Sequence, residues 1–354
     1  LTDRLGRVHR SLRISVTDRC NIRCFYCMPD ENVRFKPRHE ILSFEEITRF
    51  VHVVSQMGVR RLRLTGGEPL VRADWPRLAR RLADRGVLVA VVTNGVLVDD
   101  ETVRRMLDAG VSAVAVSLDG ERDVHDEIRV PASRSLGSVH DLAAAALERL
   151  AATPLKIAVI TQVHRRNLDR LAAMHDWLAS RRIDIWQIQV AMPLGRLLEY
   201  REQYLIRPSD LPRLEAVVAD FARAGRIPIR TADNIGYYGC EEAVLRRTSK
   251  GEPAFWTGCT AGIRVAAVCS NGDVKGCPSH PRAFVVGNVR EQTFGEIWSR
   301  DENFSYNTRW RDEDLAGGCA GCPFHHICRG GCRTMAFSVT GTIYDNPFCI
   351  QRAG

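Results

Sequence analysis

Between residues 12 and 224 of this chain, short apolar runs alternate with longer stretches of helical period. The strand candidates are 12–17, 59–65, 87–93, 111–118, 155–163 and 183–190. They are rich in Val, Ile and Leu and nearly continuous in apolar residues, as strands covered on both faces are. Ser43-Phe44-Glu45-Glu46 predicts a capping box that opens a helix running to Met57, where Gly58 stops it. Asp74 is placed to cap a helix with Pro76 in its first turn, ending near Gly86. Asp99 or Asp100 opens another, closed by Gly110, and 138–151, 167–180 and 209–224 complete the set. Six β-then-α units predict an α/β fold with a parallel sheet and right-handed crossovers. Six is short of a closed eight-fold barrel, so a partial barrel and a doubly wound sheet both fit. In either, function belongs at the C-terminal ends of the strands.

Polar punctuation falls at those ends. Cys20-Asn21-Ile22-Arg23-Cys24-Phe25-Tyr26-Cys27 follows the first strand. Thr65-Gly66-Gly67-Glu68-Pro69 follows the second, Thr93-Asn94-Gly95 the third and Ser117-Leu118-Asp119-Gly120 the fourth. Gln187 and Gln189 lie in the sixth, before Met192-Pro193. Each phrase alone reads as an ordinary turn or helix entry. Placed together on one rim they suggest a site, in which the double glycine lets backbone approach a ligand and Glu68 receives an ammonium group. The cysteine triplet adds chemistry. Four thiolates satisfy a cubane [4Fe–4S] cluster, whereas three leave one iron open to a small molecule. A zinc site short of a ligand, or free thiols, are the other readings of the triplet.

Twelve cysteines are many for a chain of 354 residues. Three lie at 20–27, none at 28–239 and nine at 240–349, which makes two centres separated by a cysteine-free body. A disulfide framework suits neither this length nor a reducing compartment. There is no run of about 18 apolar residues, so no membrane span is expected. Residues 1–10 are polar without a signal-peptide core, which places the protein in the cytoplasm. The formal charge of +8 leans toward an anionic substrate, but thiolates bound to clusters would lower it. Its arginines are scattered along helices and not gathered in a tract, which gives little support to nucleic-acid binding.

At the motifs just quoted, the chain resembles the radical S-adenosylmethionine (SAM) superfamily. Cys20-x3-Cys24-x2-Cys27, with Tyr26 before the last cysteine, matches its defining motif, and Gly66-Gly67-Glu68-Pro69 its methionine-amino-group motif. The stretches 12–20 and 63–70 are similar to the GTP cyclase of molybdenum-cofactor synthesis. The resemblance implies a partial (β/α)6 TIM-like barrel over residues 1–230. It implies a [4Fe–4S] cluster on Cys20, Cys24 and Cys27, with SAM on its open iron. It also implies cofactor contacts from Ser117, Arg129, Gln189 and Met192, and electrons from a reducing flavodoxin or ferredoxin.

After about residue 230 the chain departs from the cyclase. Cys259-x12-Gly272-x4-Cys277, Cys319-x2-Cys322-x5-Cys328-x3-Cys332 and Cys349 resemble the SPASM pattern, as do Gly287-Asn288-Val289 and Glu296-Ile297-Trp298. Residues 231–354 are therefore expected to form a SPASM domain with two auxiliary [4Fe–4S] clusters. By analogy Cys319, Cys322, Cys328 and Cys349 hold one, and Cys259, Cys277 and Cys332 the other. Cys240 and Cys269 are candidates for the missing fourth ligand. Cys240 is alternatively a hydrogen-atom donor to a substrate radical.

The expected activity is hydrogen abstraction from a carbon of a polar small molecule of sugar or aminocyclitol type, in natural-product synthesis. Loss of an electron to an auxiliary cluster gives dehydrogenation, and hydrogen return from Cys240 gives epimerisation. Asp233 and His280 are the acid–base candidates. Modification of a ribosomal peptide or protein is the alternative, set back by the cluster motif beginning at residue 20 with no leader-binding domain before it. A non-catalytic iron–sulfur or zinc protein is the second alternative.

Overall fold

The computed structural model describes residues 11–27, 35–247 and 251–353. The polar segment 1–10, expected to carry no signal sequence, lies outside the described residues.

All six expected strands form: β1 (Ser11–Ser15), β2 (Arg61–Thr65), β3 (Leu88–Thr93), β4 (Val111–Ser117), β5 (Lys156–Val163) and β6 (Ile185–Val190). Four more follow, β7 (Ile229–Thr231), β8 (Val265–Val268), β9 (Asp273–Lys275) and β10 (Gly287–Asn288). In space the order is β10-β9-β8-β1-β2-β3-β4-β5-β6-β7. Every pairing from β8 across to β7 is parallel, and the last two, β8 with β9 and β9 with β10, are antiparallel. The parallel sheet is thus an open barrel, lengthened at both edges beyond the six strands expected. The division expected at residue 230 falls inside β7. The sheet itself continues into the C-terminal part, because β8 pairs with β1 from Ser11↔Val265 to Ile14↔Val268.

The crossover helices are α1 (Phe44–Gln56), α2 (Trp75–Ala83), α3 (Asp100–Asp108), α4 (Val139–Ala151), α5 (Leu171–Ala179) and α6 (Leu211–Ala224). The Ser43 capping box is formed: Glu46 N–H donates to Ser43 Oγ at 3.1 Å and Ser43 N–H to Glu46 Oε2 at 2.7 Å. Asp99 caps α3, accepting from Thr102 N–H at 2.8 Å. Asp74 does not cap α2; its carboxylate pairs with the Arg72 guanidinium instead.

The expectation of strands apolar on both faces is corrected. Leu12, Ile14, Leu62, Leu64, Val89 and Val91 are buried beneath the helices. The alternate residues, Arg13, Ser15, Arg63 and Thr65, face inward and are only half-buried. Alternation survives because the inner face lines a hollow and not a second packed layer.

In the C-terminal part, helix α7 (Phe294–Ser299) buries Phe294, Ile297 and Trp298, and Phe294 meets Phe50 of α1 edge-on at 5.7 Å. Helix α8 (Arg333–Thr340) follows. One apolar core runs through both parts. Among the described residues no helix is long and apolar enough to cross a membrane.

Candidate active site

The first cysteine loop is fixed by its neighbour across the rim. After β1 the backbone of residues 17–19 runs beside the Gly66-Gly67-Glu68 turn, with Gly67 N–H donating to Thr17 O and Glu68 N–H to Arg19 O, both at 2.8 Å. A Cβ on Gly66 (φ +148°) would lie 2.3 Å from Thr17 O, and one on Gly67 2.2 Å from Arg19 O. In this structure the double glycine brings backbone against the loop that precedes Cys20. It sets where the cysteines stand.

Cys24 sits on a short strand, Ile22–Cys24, paired antiparallel with Arg129–Pro131 so that Cys24 faces Arg129. Arg129 Nη1 lies 3.9 Å from Cys24 Sγ, and Asn94 Nδ2 lies 3.8 Å from Cys20 Sγ. Burial pushes the Cys20 thiol up to about 11 and raises Cys24 and Cys27 as well. Thiols held neutral by burial, with cationic and amide donors aimed at their sulfurs, become thiolates when a soft metal centre compensates them.

Arg129 is itself held. Its Nε donates to Asp119 Oδ2 at 2.7 Å, and its Cζ lies 5.4 Å from the centre of the Tyr26 ring. Asp119 also accepts from Tyr26 OH at 2.6 Å and from Gln162 N–H at 2.9 Å. Burial alone would raise the Asp119 carboxyl, but the Arg129 guanidinium overrides it and holds the group down at about 2. Ser117, half-buried, closes β4 two residues earlier. Asp119 was visible in the Ser-Leu-Asp-Gly phrase but not its role, because the pair joins residues on two elements.

Glu68 is buried and accepts from Asn94 N–H and Thr93 Oγ1 at 2.8 Å and from Leu70 N–H at 3.2 Å. Burial raises its carboxyl to about 7 against these donors. Such a group gains from an incoming ammonium. Pro69 is buried beside it.

Between the inner face of the barrel and the C-terminal part lies a cavity of about 520 Å³. Tyr26 and Cys27 line it, and so do Cys259, Cys277 and Cys332. Gln189, Met192, Asp233 and His280 also line it. Asp233 exposes its side chain to this space, while protein atoms crowd its carboxyl. Burial therefore raises its carboxyl, against the pull of Arg246 and Arg13. Burial, with Lys275 and Arg333 nearby, pushes His280 down to about 3. Its Nδ1 lies 3.3 Å from Tyr306 OH, and its buried Nε2 has no partner among the described residues.

Cys319, Cys322, Cys328 and Cys349, the four expected to act together, line one small separate cavity. Burial pushes Cys328 up to about 12 and Cys349 to about 11. Tyr237 stands between the two spaces: it lines this one, while its OH donates to Asp233 O at 2.8 Å and accepts from Cys332 N–H at 2.7 Å. Among the described residues no three Cys, His, Asp or Glu side chains converge as ligands of a single ion. The thiols surround spaces instead.

Cys240 stands apart from these groups. Gly239 packs against Glu215 of α6 so closely that a Cβ would lie 2.1 Å from Oε1. The chain turns outward there, and Cys240 is exposed and outside the cavity lining. Cys269, half-buried at the end of β8, does not line the cavity either.

The family model of the radical SAM superfamily matches residues 14–178, and that of the SPASM iron–sulfur cluster-binding domain matches 259–323. The chain is a radical SAM protein with a SPASM domain. A radical SAM protein of this kind takes a [4Fe–4S] cluster, auxiliary iron–sulfur clusters and SAM. The Cys20–Cys27 thiols at the rim, the Cys259, Cys277 and Cys332 thiols in the large cavity and the four thiols around the small one fit that requirement. The AdoMet-dependent heme synthase of Methanosarcina barkeri is 29% identical over 359 residues, 98% of this chain and 97% of that protein. The GTP 3',8-cyclase of Acidothermus cellulolyticus is 54% identical, but over 125 residues, 34% of either chain. Among solved structures, anSMEcpe with bound AdoMet and a peptide superposes with a TM-score of 0.71 at 19% identity, covering 96% of this radical SAM chain and 93% of that one. At that identity the superposition speaks for the fold.

Proposed function

We propose that this radical SAM enzyme dehydrogenates a polar small molecule in the 520 Å³ cavity. The observation that carries the reading is that Cys27 and the trio Cys259, Cys277 and Cys332 line the same cavity. When bound, a cluster on Cys20, Cys24 and Cys27 supplies an electron that cleaves SAM to methionine and a 5'-deoxyadenosyl radical, and one on the C-terminal trio can accept an electron from the substrate. The chain's own residues do the rest. Glu68 takes the methionyl ammonium, Arg129 and Ser117 orient the cofactor, and Gln189 and Met192 flank its adenine. Asp233, with its raised carboxyl facing the cavity, accepts the substrate proton released on oxidation. His280 is too weak a base at neutral pH to share that work, and it shapes the wall. Dehydrogenation is preferred to epimerisation because Cys240 lies outside the cavity. A likeness along nearly the whole chain to an enzyme named for making heme supports a small-molecule substrate. The peptide reading draws on the anSMEcpe fold.

The test is anaerobic reconstitution followed by reduction with dithionite. Methionine and 5'-deoxyadenosine should appear in equal amounts, and Cys27→Ala should abolish both. No cleavage by iron-loaded protein refutes the reading. In deuterated water, a product two hydrogens lighter and without deuterium at the attacked carbon supports dehydrogenation. Deuterium at that carbon with no loss of mass means epimerisation.

A further inference from the structure

Arg333 opens α8 directly after Cys332 and is fully buried. Its Nη1 donates to Ile343 O at 2.8 Å and its Nε to Asn307 Oδ1 at 3.0 Å. Its Cζ lies 5.9 Å from the centre of the Tyr344 ring. Nη2 is buried and has no hydrogen-bond partner among the described residues. No carboxylate among them pairs with the guanidinium either. A cation so placed costs free energy unless negative charge stands near it, because neutral acceptors return only part of the hydration it has lost.

The acidic groups that act on it most are Cys259, then Tyr344, then Cys328. Cys259 belongs to the trio in the large cavity and Cys328 to the four around the small one. One guanidinium thus answers to both thiol sets. Asn307 extends the contact. Its Oδ1 accepts from Arg333, its Nδ2 donates to Ala261 O at 2.7 Å, and its amide counters the rise that burial gives the Cys259 thiol. An amide that accepts from a guanidinium is polarised by it and becomes a stronger donor in turn.

Four thiolates around a [4Fe–4S] core leave a net negative charge that grows on reduction, and net charge is among the factors that set the reduction potential. A fixed cation therefore favours the reduced form, the more so where little water screens it. We infer that Arg333 is a positioning residue for the auxiliary pair: its buried guanidinium is the counter-charge shared by the two thiol sets, and it raises the reduction potentials of the clusters they hold. This deepens the function proposed above and rests on it for electron acceptance from the substrate. A raised potential at the trio makes that acceptance more favourable. Raising the other potential by the same charge keeps the two sites matched, so that the electron is not stranded at the first.

The test is EPR-monitored potentiometry of reconstituted protein carrying Cys20→Ala, Cys24→Ala and Cys27→Ala, in which only auxiliary signals remain. In that background Arg333→Gln should lower both one-electron reduction equilibria tenfold or more, a negative shift of about 59 mV each. Arg333→Lys, which keeps the charge, should recover at least half of that shift. A merely structural arginine would lower stability and leave the potentials in place. The inference is overturned if Arg333→Gln keeps its iron with both potentials unmoved, if only one potential moves, or if Arg333→Lys shifts them as far as Arg333→Gln. If Arg333→Gln fails to hold auxiliary iron, the iron content of Arg333→Lys decides: recovery supports the shared counter-charge, and loss in both overturns it. The protein measured lacks the SAM-cleaving cysteines, so failure of the proposed function and failure of this inference are read separately.

Discussion

Removing the Asp119 charge is the most exacting test of the rim as described. Asp119 is fully buried and accepts from Arg129, Tyr26 and the Gln162 N–H. In Asp119→Asn the side chain keeps its shape, but its amide can turn only one acceptor oxygen to the three donors. The buried Arg129 guanidinium is left without a counter-charge. Breaking a buried pair from one side costs about 3–5 kcal/mol. The depression of the carboxyl from 3.8 to about 2 gives a separate figure of roughly 2 kcal/mol for its net stabilisation by these partners. A loss of about 3 kcal/mol satisfies both. Because the folded value is the lower one, this stability is present above about pH 4 and declines as pH falls toward 2. The assay is urea unfolding of the anaerobic protein at neutral pH, on Asp119→Asn, Arg129→Met and the double variant. The double variant should recover at least half of what the first loses, since the orphaned charge is then gone. A cost under 1 kcal/mol, or two additive losses, refutes the pairing argument.

Gly66→Ala should cost several kcal/mol and iron together, because the added methyl collides with Thr17 O and the left-handed backbone opposes it; full iron content after anaerobic purification would contradict this. Affinity for SAM should rise between pH 6 and 8 as Glu68, raised to about 7, ionises to meet the ammonium, and Glu68→Gln should flatten the profile. Cys319→Ala should lower iron by about four per chain while SAM cleavage persists, as one [4Fe–4S] site is lost away from the rim. Cys240→Ala should leave turnover unchanged, and a fall of tenfold would return that thiol to the mechanism.

The strands β1 to β6, their helices and the rim motifs were legible because each is written in a contiguous stretch. The grouping of Cys319, Cys322, Cys328 and Cys349 around one space was legible only through family resemblance, since Cys349 joins across the fold. Strands β7 and β8 were not read. Ile229–Thr231 is three residues long, and Val265–Val268 looks in sequence like packed apolar chain until β1 is beside it. The exposure of Cys240 depends on how Gly239 packs against α6, which no local pattern carries. The inward-facing Arg13 and Arg63 were hidden by the expectation of strands apolar on both faces. The alternation in Leu-Arg-Ile and Leu-Arg-Leu reports a hollow interior. Asp119 and Arg129 lie ten residues apart with a helix between them, and nothing but the fold names them partners.

The pairing of β8 with β1 has a consequence for how the chain is made. Strand β1 waits for a partner about 250 residues downstream. Until then one edge of β1 offers unpaired N–H and C=O groups to any other strand, beside three thiols not yet enclosed. Contacts of that sequence separation close late and slowly. Newly made protein is therefore most exposed to aggregation and thiol oxidation before β8 appears, and expression at low temperature under anaerobic conditions should raise the soluble, iron-competent yield.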